Sequence, residues 1–101
     1  MPMLSADGRV AITYNGEVYN FAEIRVELEH RGHHFRSQSD TEVILASYVA
    51  WGPDCFKMFN GMWSIVIFDS RANQIVVSRD RLGIKPLYYK AVDKQIIYSS
   101  E

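Results

Sequence analysis

Residues 62–69 read MWSIVIFD, a nearly continuous apolar run. It is too short for a core helix, and its β-branched and aromatic content is typical of a strand buried on both faces. Ser70–Asn73 reads as a turn and Gln74–Ser78 (QIVVS) as the return strand. One face of such a sheet can take helices. The other is too apolar to stand in water, so it needs cover from a second sheet, a further segment or a partner chain.

The rest of the chain supplies the helices. Arg9–Tyr14 (RVAITY) reads as a strand that Glu17–Tyr19 continues after a turn. Asn20 and Glu23 stand in capping-box spacing before a helix with Phe21, Ile24 and Leu28 on one face, and Gly32 fits the position that ends it. His33–Arg36 is a short extended piece. Ser39 and Glu42 repeat the capping-box spacing before a second helix, about Thr41 to Trp51, with Asp40 near its positive end. Gly52 and Pro53 stop it, and Asp54 can cap a third, short helix through Phe59. Leu87–Val92 and Gln95–Ser99 form a last hairpin across Asp93-Lys94. The order is strand, helix, helix, short helix, then four strands. That predicts an α+β fold, with helices packed on antiparallel sheet.

A length of 101 residues points to one domain, 1–101, with enough apolar content (48%) for one core. Eleven basic and twelve acidic residues leave a net charge of −1, which attracts neither nucleic acid nor an anionic membrane. No stretch has the length of a membrane span, and nothing at the start reads as a secretory leader. The single cysteine, Cys55, allows no internal disulfide and suits a reducing, cytoplasmic setting.

Candidate chemistry is sparse. His30, His33 and His34 flank the helix-ending Gly32, and no third ligand stands beside them, so no metal is expected. Cys55 is either a nucleophile favoured by a helix first turn or a small packing residue, and packing is the better reading. Arg79-Asp80-Arg81 with Lys85 is either a solvated connector or an anion or partner contact. Asn15-Gly16 is the strongest short-range signal for a tight hairpin turn. It can also bring an Asn amide and a Gly N–H onto one oxygen as an oxyanion hole, though from local pattern the turn is the better reading. Asp40, at the start of the second helix, can receive an amino group.

Several blocks in order carry a resemblance: Tyr14–Phe21 (YNGEVYNF), Phe35–Leu45 (FRSQSDTEVIL), Tyr48–Gly52 with Asp54-Cys55, Phe59–Met62 (FNGM) and Ser78–Tyr89 (SRDRLGIKPLYY). Together they resemble the class II glutamine amidotransferase domain, most closely the glutaminase half of asparagine synthetase, over nearly the whole chain. The resemblance implies an N-terminal nucleophile hydrolase: a partial αββα sandwich, with antiparallel sheets and helices outside. It implies catalytic roles for Asn15 (side chain) and Gly16 (backbone) as the oxyanion hole. Asp40 would hold the glutamine α-amino group, Glu17 would line the pocket and Asn20 would help position the loop. No cofactor or metal is implied, and the partner is L-glutamine.

In that family the first residue of the mature chain is a Cys whose thiolate attacks the glutamine amide. Here the sequence begins Met1-Pro2-Met3, so the expectation is a C-terminal portion of the domain, lacking the nucleophile, the Arg that grips the glutamine carboxylate, and the synthetase domain. Such a portion would release ammonia only when completed by a Cys-bearing segment. The alternative is a non-catalytic amino-acid-binding or oligomeric module. A homodimer is expected to cover the apolar sheet face.

Overall fold

A computed structural model describes the backbone of residues 2–81, 84–92 and 95–100 and the side chains of residues 2–79. The Asp93-Lys94 turn and the Asp80 and Lys85 side chains named above lie outside the described residues.

Six strands form one antiparallel meander in the order β1 (Met3–Leu4), β2 (Val10–Val18), β3 (Gly61–Asp69), β4 (Gln74–Arg81), β5 (Ile84–Val92) and β6 (Gln95–Ser100). Two helices, α1 (Phe21–His30) and α2 (Asp40–Trp51), and a 3-10 helix over Gly52–Met58 are inserted between β2 and β3. The fold is α+β, with helices on one face of antiparallel sheet. It is one sheet and one helical layer of the expected sandwich.

The sheet is amphipathic by alternation. On β3, Trp63, Ile65, Ile67 and Asp69 are buried under the helices. Val10, Ile12 and Val18 of β2 and Val76 of β4 join them. Each fully buried aliphatic side chain stabilises the fold by about 1.5–3 kcal/mol. The other face differs from the expectation of a strand covered on both sides. Met62 is 49% exposed, Phe68 48% and Ile75 39%, because α1, α2 and the 3-10 helix all lie on one side.

Helix α2 is the central element. Its residues Glu42 to Tyr48 are buried at every position, since it lies against β1 and β2 with α1 and the 3-10 helix packed on it. Ser39 caps it: the Oγ accepts from the amides of Thr41 (3.0 Å) and Glu42 (3.4 Å). The reciprocal half of the capping box does not form. Glu42 instead accepts from the Arg36 and Ser37 amides, each at 2.8 Å, and from the Ser37 hydroxyl at 2.7 Å. Gly52, at φ +67, ends the helix.

Helix α1 ends as its sequence implies. Gly32 takes φ +97, its amide donates to Glu29 and the His33 amide donates to Leu28, the paired bonds of a Schellman motif. Its start differs from expectation: the Asn20 side chain makes no cap hydrogen bond to α1. It reaches across the fold to residues 58–60 instead, as described below.

Candidate functional site

Asn15-Gly16 forms no hairpin turn. The strand runs unbroken through it, with Asn15 opposite Ser64, Gly16 opposite Trp63 and Glu17 opposite Met62. The Asn-Gly turn signal depends on the flanking runs pairing with each other, and both pair with β3 instead. Gly16 nevertheless has φ +124, a conformation that side chains disfavour. A Cβ added there would meet the Met62 carbonyl oxygen and come within 2.8 Å of Trp63 Cα. Gly61, opposite Val18, has φ +149, and a Cβ there would meet the Glu17 carbonyl oxygen. Two glycines thus bracket the Glu17–Met62 pair and let the strands approach where side chains would hold them apart.

Alternation decides which way the candidate residues project. Val10, Ile12 and Val18 face the helices, so Asn15 and Glu17 leave the sheet on the open face, where both are exposed. Among the described residues no hydrogen bond engages the Asn15 side chain, so its amide is free to donate.

Asp40 lies on the opposite, helical side. As the first residue of α2 it sits at the positive end of the helix dipole. Its Oδ2 accepts a hydrogen bond from the Tyr14 hydroxyl at 3.1 Å. Burial, followed by the charge and hydrogen bond of Asp40, pushes the Tyr14 phenol well above its ordinary range, so it stays a donor. Sequence reasoning did not single out Tyr14. The signal was present: it precedes Asn15, and strand alternation turns it toward the helices.

Asn20 acts at the junction of β2 and α1. Its Nδ2 donates to the Met58 carbonyl at 2.7 Å, and its Oδ1 accepts from the Asn60 amide at 2.9 Å. The Tyr19 amide donates to the Asn60 carbonyl at 2.6 Å. The three bonds clamp residues 58–60, and therefore the entry to β3, onto the end of β2. The structure therefore brings Tyr14 to Asp40 and Asn20 to the 58–60 loop, but it does not bring Asn15 and Asp40 onto one face.

Cys55 is fully buried beside Phe56 in the core. Burial, then the charge of Asp54, drives its thiol far above the ordinary range, so it is not poised as a thiolate. Among the described residues no group of three or more His, Cys, Asp or Glu side chains could hold a metal ion. No described helix is long and apolar enough to cross a membrane. A hollow of about 290 Å³ lies between residues 4–7 and α2, lined mainly by Leu4, Leu45, Ala46 and Val49 with Arg36 and Asp7 beside them. His33 and His34 border it, but Tyr14, Asn15, Gly16, Glu17, Asn20 and Asp40 do not, and its Glu42 carboxylate is already committed to three donors.

The glutamine amidotransferase domain family matches residues 1–101. This chain belongs to that family. The domain is 43% identical over 90 residues to asparagine synthetase [glutamine-hydrolyzing] 3 of Bacillus subtilis, covering 89% of this chain and 15% of the relative. It is 47% identical over 92 residues to a putative asparagine synthetase [glutamine-hydrolyzing] 2 of Methanocaldococcus jannaschii, covering 91% and 17%. The amidotransferase domain here thus spans about one sixth of the length of these relatives. Its fold matches glutamine phosphoribosylpyrophosphate amidotransferase from B. subtilis with TM-score 0.75 at 17% identity, over 99% of this chain and 31% of that one. The domain is of the class II type, with the N-terminal nucleophile hydrolase fold and an asparagine-synthetase-like sequence.

Proposed function

We propose that this amidotransferase domain supplies the oxyanion-binding part of a glutamine-splitting centre, with the attacking thiolate coming from outside these 101 residues. The observation that carries the reading is the state of Asn15-Gly16. The pair is exposed, the Asn15 amide has no partner among the described residues, and Gly16 holds a backbone conformation beside β3 that only glycine fits. A side-chain amide without a partner, next to a backbone N–H, is the kind of donor pair a developing oxyanion needs, and one such donor is worth about 3–4 kcal/mol. Cys55, buried and held as a thiol, is unsuited to attack.

In the proposed reaction a thiolate adds to the side-chain carbonyl carbon of L-glutamine. The carbonyl electrons move to oxygen, where the Asn15 amide and the Gly16 N–H stabilise them. The free amine of the Cys-bearing segment takes the thiol proton and returns it to the amide nitrogen, so collapse expels ammonia and leaves a thioester, which water hydrolyses to glutamate and the free thiol. Asp40 receives the α-ammonium, Glu17 lines the pocket and Asn20 holds the adjoining loop. The names of the relatives suggest that the ammonia serves asparagine synthesis. A glutamine reaching from Asn15 to Asp40 must pass the end of the sheet, so the segment that covers the open face would complete the pocket.

The apolar strip of Met62, Phe68 and Ile75 favours a second reading, a non-catalytic module whose sheet is covered by another copy of itself. One assay series separates the two. Ammonia release from L-glutamine is followed for the chain alone and with a separately made Cys-initiated segment of class II type added, alongside light scattering. Turnover only with the added segment, lost in Asn15→Ala, supports the enzyme reading. A stable dimer that neither binds glutamine nor gains activity supports the module. Unaided turnover that disappears in Cys55→Ala would overturn both.

A further inference from the structure

We propose that Tyr14 is a positioning residue for amino-group recognition: its hydroxyl fixes the Asp40 carboxylate so that the free oxygen meets the α-ammonium of the ligand. The inference rests on the glutamine-site reading above. Tyr14 and Asp40 are 26 residues apart, on a strand and a helix start, and meet at 3.1 Å. The bond occupies Oδ2 and leaves Oδ1 without a partner among the described residues. A carboxylate on a short side chain at a helix terminus has two rotatable bonds, and one donated hydrogen bond removes much of that freedom before the ligand arrives.

The Tyr14 ring is half-buried and packs on the core cluster, so the hydroxyl is presented from a fixed support. As a phenol that keeps its proton, it donates to Oδ2 and leaves Oδ1 for the ligand. Tyr14 is also bonded directly to Asn15. The same strand segment therefore carries the oxyanion donor on one face and the carboxylate-orienting donor on the other. That arrangement couples recognition of the amide end of the ligand to recognition of its amino end through one rigid strand.

The test compares two ligands by calorimetry: L-glutamine, and glutaramate, which keeps the amide and the chain but lacks the α-amino group. Both are titrated into the chain alone and into the chain with the added Cys-initiated segment. Tyr14→Phe keeps the ring and removes the hydroxyl. The expected result is about tenfold weaker L-glutamine binding with glutaramate binding unchanged. Asp40→Asn is expected to lose the same selectivity more completely. Equal weakening of both ligands, or of neither, would overturn the role of Tyr14 while a selective Asp40→Asn effect left the site reading standing. Binding of neither ligand by the wild-type protein, alone or completed, would sink the site reading and this inference together.

Should Tyr14→Phe fold poorly, the hydrogen bond is read in the unaltered tyrosine. With the charge of Asp40 removed by Asp40→Asn, and Glu17 left as the nearby acid, the Tyr14 ring signal in NMR should titrate at lower pH than in the wild type. An unmoved titration would mean that the contact is not made in solution, and would overturn the proposal.

Discussion

The Tyr48 hydroxyl donates to Asp69 Oδ2 at 2.8 Å, tying the middle of α2 to the end of β3 inside the core. Gln74 Nε2 donates to the same hydroxyl at 2.7 Å, and Arg71 holds Asp69 through its Nε and a terminal nitrogen. Tyr48→Phe keeps the ring but leaves the Gln74 donor unpaired and removes one of the two donors on Asp69 Oδ2, with Arg71 as the other. The expected loss is about 1–3 kcal/mol. Since 1 kcal/mol shifts a domain of this size by roughly 4–8 °C, the melting temperature should fall by at least about 4 °C. A melt unchanged in Tyr48→Phe would show that this cluster contributes nothing.

The same carboxylate gives a pH dependence with a definite sign. Burial pushes the Asp69 carboxyl up, but the hydrogen bonds and charge of Arg71 with the bond from Tyr48 outweigh it and leave it below the ordinary carboxylate range. Glu42 behaves alike: burial raises it, and the amides of Arg36 and Ser37 with the Ser37 hydroxyl bring it lower. Near pH 4 the unfolded chain therefore binds more protons than the native one. The stabilisation is complete above the ordinary carboxylate range of about 4 and is lost as pH falls through the lowered native values. Urea midpoints measured from pH 7 downward should be flat above about 5 and fall steeply below 4. Glu42→Gln and Asp69→Asn should each flatten the acid limb.

How much of this was legible in the sequence depended on range. Helix α2 was readable because its signals are local: Ser39 before it, Gly52-Pro53 after it and apolar residues between. The β3–β4 hairpin was readable from the run Met62–Asp69 and its turn. Asn15-Gly16 was not, because a local turn signal lost to pairing with residues 63 and 64, which no pattern near position 15 announces. Asn20 was read as a cap for the same reason, since its partners are Met58 and Asn60. The proposed site was half legible. Motif order brought in Asn15, Gly16 and Asp40, whereas Tyr14 required knowing which face of β2 meets α2. The apolarity of β3 announced two faces needing cover without indicating what covers the second.

Asn20 offers a direct check on the loop clamp. Its two side-chain hydrogen bonds each carry a net value of roughly 0.5–1.5 kcal/mol. Asn20→Ala should cost about 1–3 kcal/mol in urea denaturation and hasten hydrogen exchange at the Tyr19 and Asn60 amides. Asn20→Asp keeps the acceptor for Asn60 but loses the donor to Met58, so its loss should fall between wild type and Asn20→Ala. Exchange at Asn60 that is no faster in Asn20→Ala would mean the loop is held by other contacts.

The glycine pair across β2 and β3 can be separated from ordinary left-handed glycines. Gly32 also has positive φ, at +97, but a Cβ there would meet nothing within 4 Å. Gly32→Ala should therefore cost only the backbone penalty, about 1–2 kcal/mol. At Gly16 and Gly61 the same methyl adds collision with backbone atoms of the facing strand, and these cannot rotate away as a side chain would. Gly16→Ala and Gly61→Ala should each cost about 3 kcal/mol or more. They should also disrupt the pairing of Gly16 with Trp63 and of Val18 with Gly61, read as lost amide protection along that stretch. Equal losses at positions 16, 32 and 61 would mean that the strands do not approach closely there. The tight backbone beside Asn15, on which presentation of the Gly16 N–H depends, would then be absent as well.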